Sequence, residues 1–402
     1  MTSRRRAHVP RLAIWGLLAA GLVGPAAAAS PSILDDPNFV AHLDRGLARL
    51  YNLEVDAARA ELGAAAAAAP DHPVGPFLDA LPAWWSLLLD PDDPAPRRPV
   101  LAAMEETLAR CARRLERDPR DADARFFMAA ALAVRGRLRS LAGEWIAAAR
   151  DGKRALDLVR ELHREQPANE DLYYGLGLYD YYADVIPEEY PVFRPLKPFF
   201  PPADRARGLA RLERAMRQGR FSRAEAAYAL LEIEYLWRED AARALVHARW
   251  LRSLYPGNPV FVTYEGRSLA MLGDWSAARA VFVEVLRRRA AGRSGFGPYQ
   301  EEMARYFLGR GALEERRYDE ALAALAELER VASARNSVSR YRTLGQLASG
   351  MAHDALGRRP QAVARYRRVL TMRDSAGAHQ RARQHLDRPF APQAPAPKKS
   401  SR

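Results

Sequence analysis

The chain is poor in the residues that anchor several common architectures. A single cysteine among 402 residues excludes a disulfide framework, a zinc finger and a thiolate-held iron–sulfur cluster within one chain. Lysine occurs only at Lys153, Lys197, Lys398 and Lys399, so nearly all of the 62 basic residues are arginine. β-Branched runs are short, which leaves little from which to build strands. Beyond residue 30 no stretch approaches twenty apolar residues without charge, so the rest of the chain is expected to be soluble. What is present is alanine, about a fifth of the chain, with 49% hydrophobic and 28% charged residues. That balance excludes a mostly disordered chain and favours helix.

The first thirty residues read as an export signal. Arg4, Arg5, Arg6 and Arg11 precede an apolar run from Leu12 to Gly24; Pro25 breaks it, and Ala26 to Ala29 supply small residues for cleavage. Cleavage near Ala28 or Ala29 is expected, with an uncleaved N-terminal anchor as the alternative. The location implied is periplasmic or cell-envelope associated. No cysteine follows the run, so a lipoprotein is excluded.

From residue 30 onward apolar residues recur at three and four spacing, and Pro or Gly interrupts every fifteen to twenty-five residues. Small and large residues then repeat in register: Gly46 with Ala58; Gly266 with Ala278 and Phe282; Gly309 with Ala321; Gly350 with Ala362 and Tyr366. A further unit carries Tyr228, Leu231, Tyr235 and Ala244 before Pro256. Helices are also expected over Val74 to Leu89, Val100 to Arg117, Asp121 to Arg137, Glu144 to Glu165 and Ala376 to Leu386, the last as a polar cap. Ser222 and Asp274 are candidate helix starts.

This pattern resembles the tetratricopeptide repeat family, most clearly over about residues 39–72 and 222–375. The resemblance implies an all-α solenoid of antiparallel helix pairs, in a superhelix whose groove is lined by the first helix of each pair. The spacing from Gly266 to Gly309 is 43 residues and from Gly309 to Gly350 it is 41, longer than the usual 34. An α/α toroid or another α-solenoid is the competing architecture. The organisation expected is a signal over 1–29, N-terminal repeats over 30–221, C-terminal repeats with a capping helix over 222–388, and a disordered basic tail over 389–402.

One segment departs from routine repeat. Tyr173 to Tyr182 reads YYGLGLYDYY, and an insertion rich in proline and aromatic residues follows over 185–202. This block is similar to a feature of some exported bacterial repeat proteins. Its aromatic content predicts an ordered loop that packs on something.

No catalytic constellation stands out. His379 and His385 are six apart, not an i, i+4 metal pair. Asp90, Asp92 and Asp93 in DPDDP fit an interhelix loop better than a calcium loop. Glu188 and Glu189 are neighbours on a loop, and Cys111 among arginines lacks a histidine partner. No cofactor and no metal is expected. Groove candidates are Tyr174, Tyr181, Tyr182, Trp237, Arg267, Tyr306, Arg310 and Met351, because tyrosine and arginine carry large contacts and charge-assisted hydrogen bonds. The expected function is a non-enzymatic scaffold that binds a protein or peptide partner. The alternative is a carbohydrate-active or other envelope enzyme on a helical toroid; nucleic acid is disfavoured by the export signal.

The net charge of +13 is unevenly placed. The signal holds +4, residues 335–402 hold +12, and the intervening 30–334 are slightly acidic at −3. The basic end is expected to lean on an anionic membrane surface or an acidic partner.

Overall fold

The computed structural model describes residues 32–392. The signal expected over 1–29 and the last ten residues of the tail expected over 389–402 lie outside the described residues. Most of the described residues are helical and no strand is present among them. Among the described residues seventeen α-helices follow one another as antiparallel pairs. The fold is an all-α array of helix pairs, and the small residues of the sequence register fall where paired helices touch.

The described residues fall into two compact units, 32–264 and 265–392. They meet within one helix, well past the 221/222 boundary expected from the sequence. The first unit holds α1 (Pro37–Tyr51), α2 (Val55–Ala67), α3 (Val74–Leu89), α4 (Arg97–Arg117), α5 (Ala122–Leu141), α6 (Trp145–Glu165), α7 (Leu172–Glu189), α8 (Arg205–Gln218), α9 (Arg223–Glu232), α10 (Ala241–Leu254) and the start of α11 (Pro259–Met271). The second continues with α12 (Trp275–Ala290), α13 (Pro298–Glu314), α14 (Tyr318–Ala334), α15 (Arg340–Ala355), α16 (Arg359–Leu370) and α17 (Ala378–Asp387). Several starts are capped by carboxylates: Asp36, Asp121, Asp240 and Asp274 each accept a first-turn amide. Ser222 precedes α9 without such a side-chain bond.

Close approach explains the glycine register. A Cβ on Gly46 would sit 2.6 Å from Leu62, one on Gly266 2.8 Å from Phe282, and one on Gly309 2.6 Å from Leu325. In each case the bulky partner stands sixteen positions on, in the second helix of the same pair. Gly177 obeys the same rule with Leu212, at 2.8 Å, but thirty-five positions on. The additional nineteen residues are the insertion. Gly208, not recognised from the sequence, fills the small position of that second helix: its Cβ would fall 2.6 Å from the Tyr181 amide nitrogen.

The insertion is more helical than its prolines suggest. Helix α7 runs through Pro187 to Glu189, although Pro187 has no N–H to give the carbonyl four residues back, and Tyr190 N–H closes the end on the Ile186 carbonyl at 2.8 Å. A 3₁₀ segment then spans Pro191–Phe199, and α8 starts behind the Asp204 cap. Across the insertion α7 and α8 are tied by a ladder of ion pairs. Glu170 takes Arg214 at 2.6 Å, the fully buried Asp180 takes both Arg207 (2.6 Å) and Arg211, and Asp184 takes Arg205 at 2.7 Å.

The first unit closes on itself. Tyr51, at the end of α1, donates to Glu225 of α9 at 2.5 Å and packs 5.0 Å from Tyr255. Asn258 Nδ2 donates to the Tyr51 carbonyl (2.7 Å), and Gly257 N–H donates to Asn52 Oδ1 (2.8 Å). Trp85 of α3 stacks near Tyr228 of α9 and meets Phe261 of α11 edge-on. Inner faces of the first helices thus meet in one aromatic core. At the start of the chain, Asp123 accepts from Ser32 Oγ (2.6 Å), Ile33 N–H (2.7 Å) and His72 Nε2 (3.2 Å). Burial pushes this carboxyl up, but those three donors hold it below its ordinary value.

Candidate functional site

Four of the groove candidates come together in the first unit. Tyr174, Tyr181 and Tyr182 are buried in a cluster with Leu212, Leu230 and Ile233, and half-buried Trp237 packs against it. Tyr182 meets Tyr181 at 5.2 Å and Trp237 at 5.5 Å. The three tyrosines therefore spend their surface on interhelix packing rather than facing a partner. The physical reason is the closure just described: the inner side of this unit is filled by its own aromatic side chains. Trp237 ends a π-helical turn, Ile233–Trp237, that follows α9.

Buried carboxylates accompany these rings, and the sequence alone did not mark them. Glu225 is sealed from solvent with Tyr51 as its donor, and burial pushes its carboxyl up to about 8. Glu232 accepts from Tyr228 (3.1 Å) and Tyr264 (3.3 Å), and Glu234 pairs with Arg238 at 2.9 Å. The only available signal was their spacing. Glu232 occupies the small position opposite Ala244 and Ala248, where other units carry glycine.

The remaining candidates lie in the second unit. Arg267 is half-buried on α11, and Met351 is buried on α15, again in packing. Tyr306 and Arg310 are half-buried on α13 and belong to a cationic cluster. Arg340 at the start of α15 and Arg381 on α17 complete it; α13, α15 and α17 are the first helices of successive pairs and pack side by side. Burial raises the Tyr306 hydroxyl, while Arg310, Arg381 and Arg340 all lie close enough to pull it back. Burial, with Arg310 as a like-charged neighbour, lowers Arg381. Tyr306 lies 5.6 Å from the buried Tyr341 ring, and Arg340 sits 6.0 Å over that ring.

The acids available to this cluster are few. Arg310 pairs with Glu314, and Asp374 is the acid near Arg381. The buried Nε of Arg340 has no acceptor. Other arginines of the basic end are committed elsewhere: Arg335 to Glu302, Arg342 to Glu329, Arg358 to Asp319 and Arg359 to Asp354. Chemically, the cluster is an excess of guanidinium donors on an aromatic floor.

The weaker sequence motifs find structural places. Asp90 and Asp93 accept amides of their own loop, Glu188 pairs with Arg205, and His379 contacts the Met372 carbonyl. Burial pushes the Cys111 thiol far up, which removes its nucleophilic form at neutral pH. Among the described residues no three His, Cys, Asp or Glu side chains converge as a metal site needs, and no helix is long and apolar enough to cross a membrane.

No protein-family model matches the chain, and no curated protein matches it. Among solved structures it is similar to a tetratricopeptide repeat protein from Parabacteroides merdae ATCC 43184. The identity is 14%, over 78% of this chain and 99% of that one, with a TM-score of 0.34. It is also similar to the tetratricopeptide repeat domain of P58(IPK), at 14% identity over 87% of this chain and 96% of that one, with a TM-score of 0.24. At these values the repeat fold rests on the helix pairs themselves.

Proposed function

We propose that the chain is an exported, non-enzymatic repeat scaffold of the cell envelope, and that it holds an acidic segment of a protein partner against α13, α15 and α17. The observation that carries this is the gathering of Arg310, Arg340 and Arg381 around Tyr306, with Arg381 partly buried beside Arg310. Cations held together without enough acids favour an incoming carboxylate, since each new charge-assisted hydrogen bond also relieves their mutual repulsion. The tyrosine floor supplies contact area beside the charge. The export signal supports the envelope location, and the charge of +12 over residues 335–402 steers an acidic partner toward this end.

The enzyme alternative needs carboxylates in an open aromatic cleft. Glu225 and Glu232 each bond tyrosines, yet each is closed off from solvent, so the observations favour the scaffold.

The test is titration of the full chain with a fluorescent peptide rich in aspartate and glutamate, against its asparagine and glutamine counterpart. Arg310→Ala, Arg340→Ala and Arg381→Ala are each expected to weaken the acidic peptide by about tenfold, the scale of a charge-assisted hydrogen bond. Equal binding of the neutral peptide, or indifference to all three substitutions, overturns the reading. If anionic vesicles compete through the same three arginines while the peptide does not bind, the basic end serves a membrane instead. Cell fractionation with mass determination of the mature N-terminus checks export and cleavage near Ala29.

A further inference from the structure

The proline-rich insertion carries an exposed apolar patch that the scaffold reading does not use. Val192 is 77% exposed and Ile146, at the start of α6, is 73% exposed. Between them Trp145, 37% exposed, meets Phe193 edge-on at 5.4 Å, and Tyr190 lies 6.3 Å from the same Phe193 ring. Two chain segments far apart in sequence thus bring aliphatic and aromatic side chains to one surface. The 3₁₀ segment that presents Val192 and Phe193 holds prolines at 191, 195 and 198, so it loses little conformational freedom when it docks.

Charge borders the patch. Arg194 and Lys197 are both exposed on the insertion, and Arg194 bonds only locally, Nε to the Pro187 carbonyl at 3.1 Å. Of the acids on the insertion, Glu188 is committed to Arg205, leaving Glu189 beside the turn, while Glu144, one residue ahead of Trp145, pairs with Arg139 at 3.9 Å. Tryptophan and tyrosine with an apolar body and a polar edge, exposed valine and isoleucine, and long cationic side chains at the margin are the composition that settles at a lipid–water boundary. There, cations reach phosphate while their stems stay with the apolar groups.

We infer that the surface formed by Trp145, Ile146, Val192 and Phe193, with Arg194 and Lys197 at its edge, docks the protein on an anionic phospholipid surface. The apolar side chains enter the headgroup boundary and the two cations contact lipid phosphate. This places the protein on the membrane without a spanning helix. It is independent of the arginine cluster in 265–392 and survives or fails separately from it.

The experiment places an environment-sensitive fluorophore at Val192→Cys of the full chain. The one native thiol, Cys111, is buried and its ionisation suppressed. A second labelled form, Ala64→Cys on exposed α2, reports any non-specific association. Added vesicles are phosphatidylcholine alone or phosphatidylcholine with phosphatidylglycerol. The expected result is a blue-shifted, brighter emission from position 192 with the anionic vesicles, and an unchanged emission from position 64. Ile146→Ser combined with Phe193→Ser should abolish the shift. Arg194→Gln with Lys197→Gln should weaken it roughly twenty-fivefold on anionic vesicles, at about fivefold per cation. Equal responses at 192 and 64, no response at either, or a response insensitive to Ile146→Ser and Phe193→Ser overturns the inference. Circular dichroism of each variant confirms that these exposed substitutions leave the helical content unchanged.

Discussion

Glu225 is the most sharply testable single residue. Its ordinary value is near 4.5, and burial moves it to about 8 in the folded protein, against the opposing pull of the Tyr51 hydroxyl. Between those values the unfolded chain has lost this proton and the folded chain keeps it. Stability from this group is therefore full below pH 4.5 and falls as pH rises toward 8, by up to about 1.4 kcal/mol per pH unit. Glu225→Gln keeps an acceptor for Tyr51 and removes the titration. Urea melts at pH 5 and pH 8 should show the variant gaining on the parent as pH rises; a constant difference would mean that Glu225 ionises freely in the fold. At this scale the sequence was legible where sterics rule. Gly46, Gly266, Gly309 and Gly350 stand where a Cβ has no room. It was silent on Glu225 and Glu232, because a glutamate on an amphipathic helix reads as solvent-facing until a second layer of helices is known to cover it.

At the scale of elements, the α7–α8 pair is tied by charge across the insertion. Asp180 is wholly buried, while its partners Arg207 and Arg211 are 46% and 28% exposed. Asp180→Ala should cost about 1–3 kcal/mol, since the two arginines keep some access to water but lose their acceptor. Arg217→Ala breaks an exposed pair with Glu213 and should cost no more than about 0.5 kcal/mol. Comparing their urea midpoints separates an interhelix tie from surface decoration. Helix positions were readable from punctuation. The span Val74 to Leu89 matches α3, and Ala376 to Leu386 lies within two residues of α17. The insertion was harder, because α7 continues through Pro187 where a proline ordinarily ends a helix. Gly208 went unseen because the nineteen additional residues put it out of the common register.

On the whole-molecule scale, the basic composition was legible but its distribution of labour was not. Which arginines are neutralised depends on acids distant in sequence, such as Glu302 for Arg335 and Asp319 for Arg358. Closure of 32–264 was equally hidden, since no local pattern announces that Tyr51 will meet Glu225 and Asn258. An open repeat array loses stability one unit at a time when shortened. Here removal of residues 32–72 strips the Tyr51 and Asn52 contacts from α9 and the turn before α11, as well as the neighbours of α3. Calorimetry of that truncated chain should show the transition of the whole first unit lost or broadened, not a small shift of midpoint. A parent-like transition would mean that the unit behaves as an open array after all.

Closure also sets a clock. Tyr51 and Asn52 are made about two hundred residues before their partners Asn258 and Gly257. At roughly 5–20 residues per second, the first helix pair waits some ten to forty seconds of synthesis for the contacts that complete its core. In this protein the delay is written into the order of the helices, so the opening third cannot reach its final packing until the chain beyond α10 has appeared.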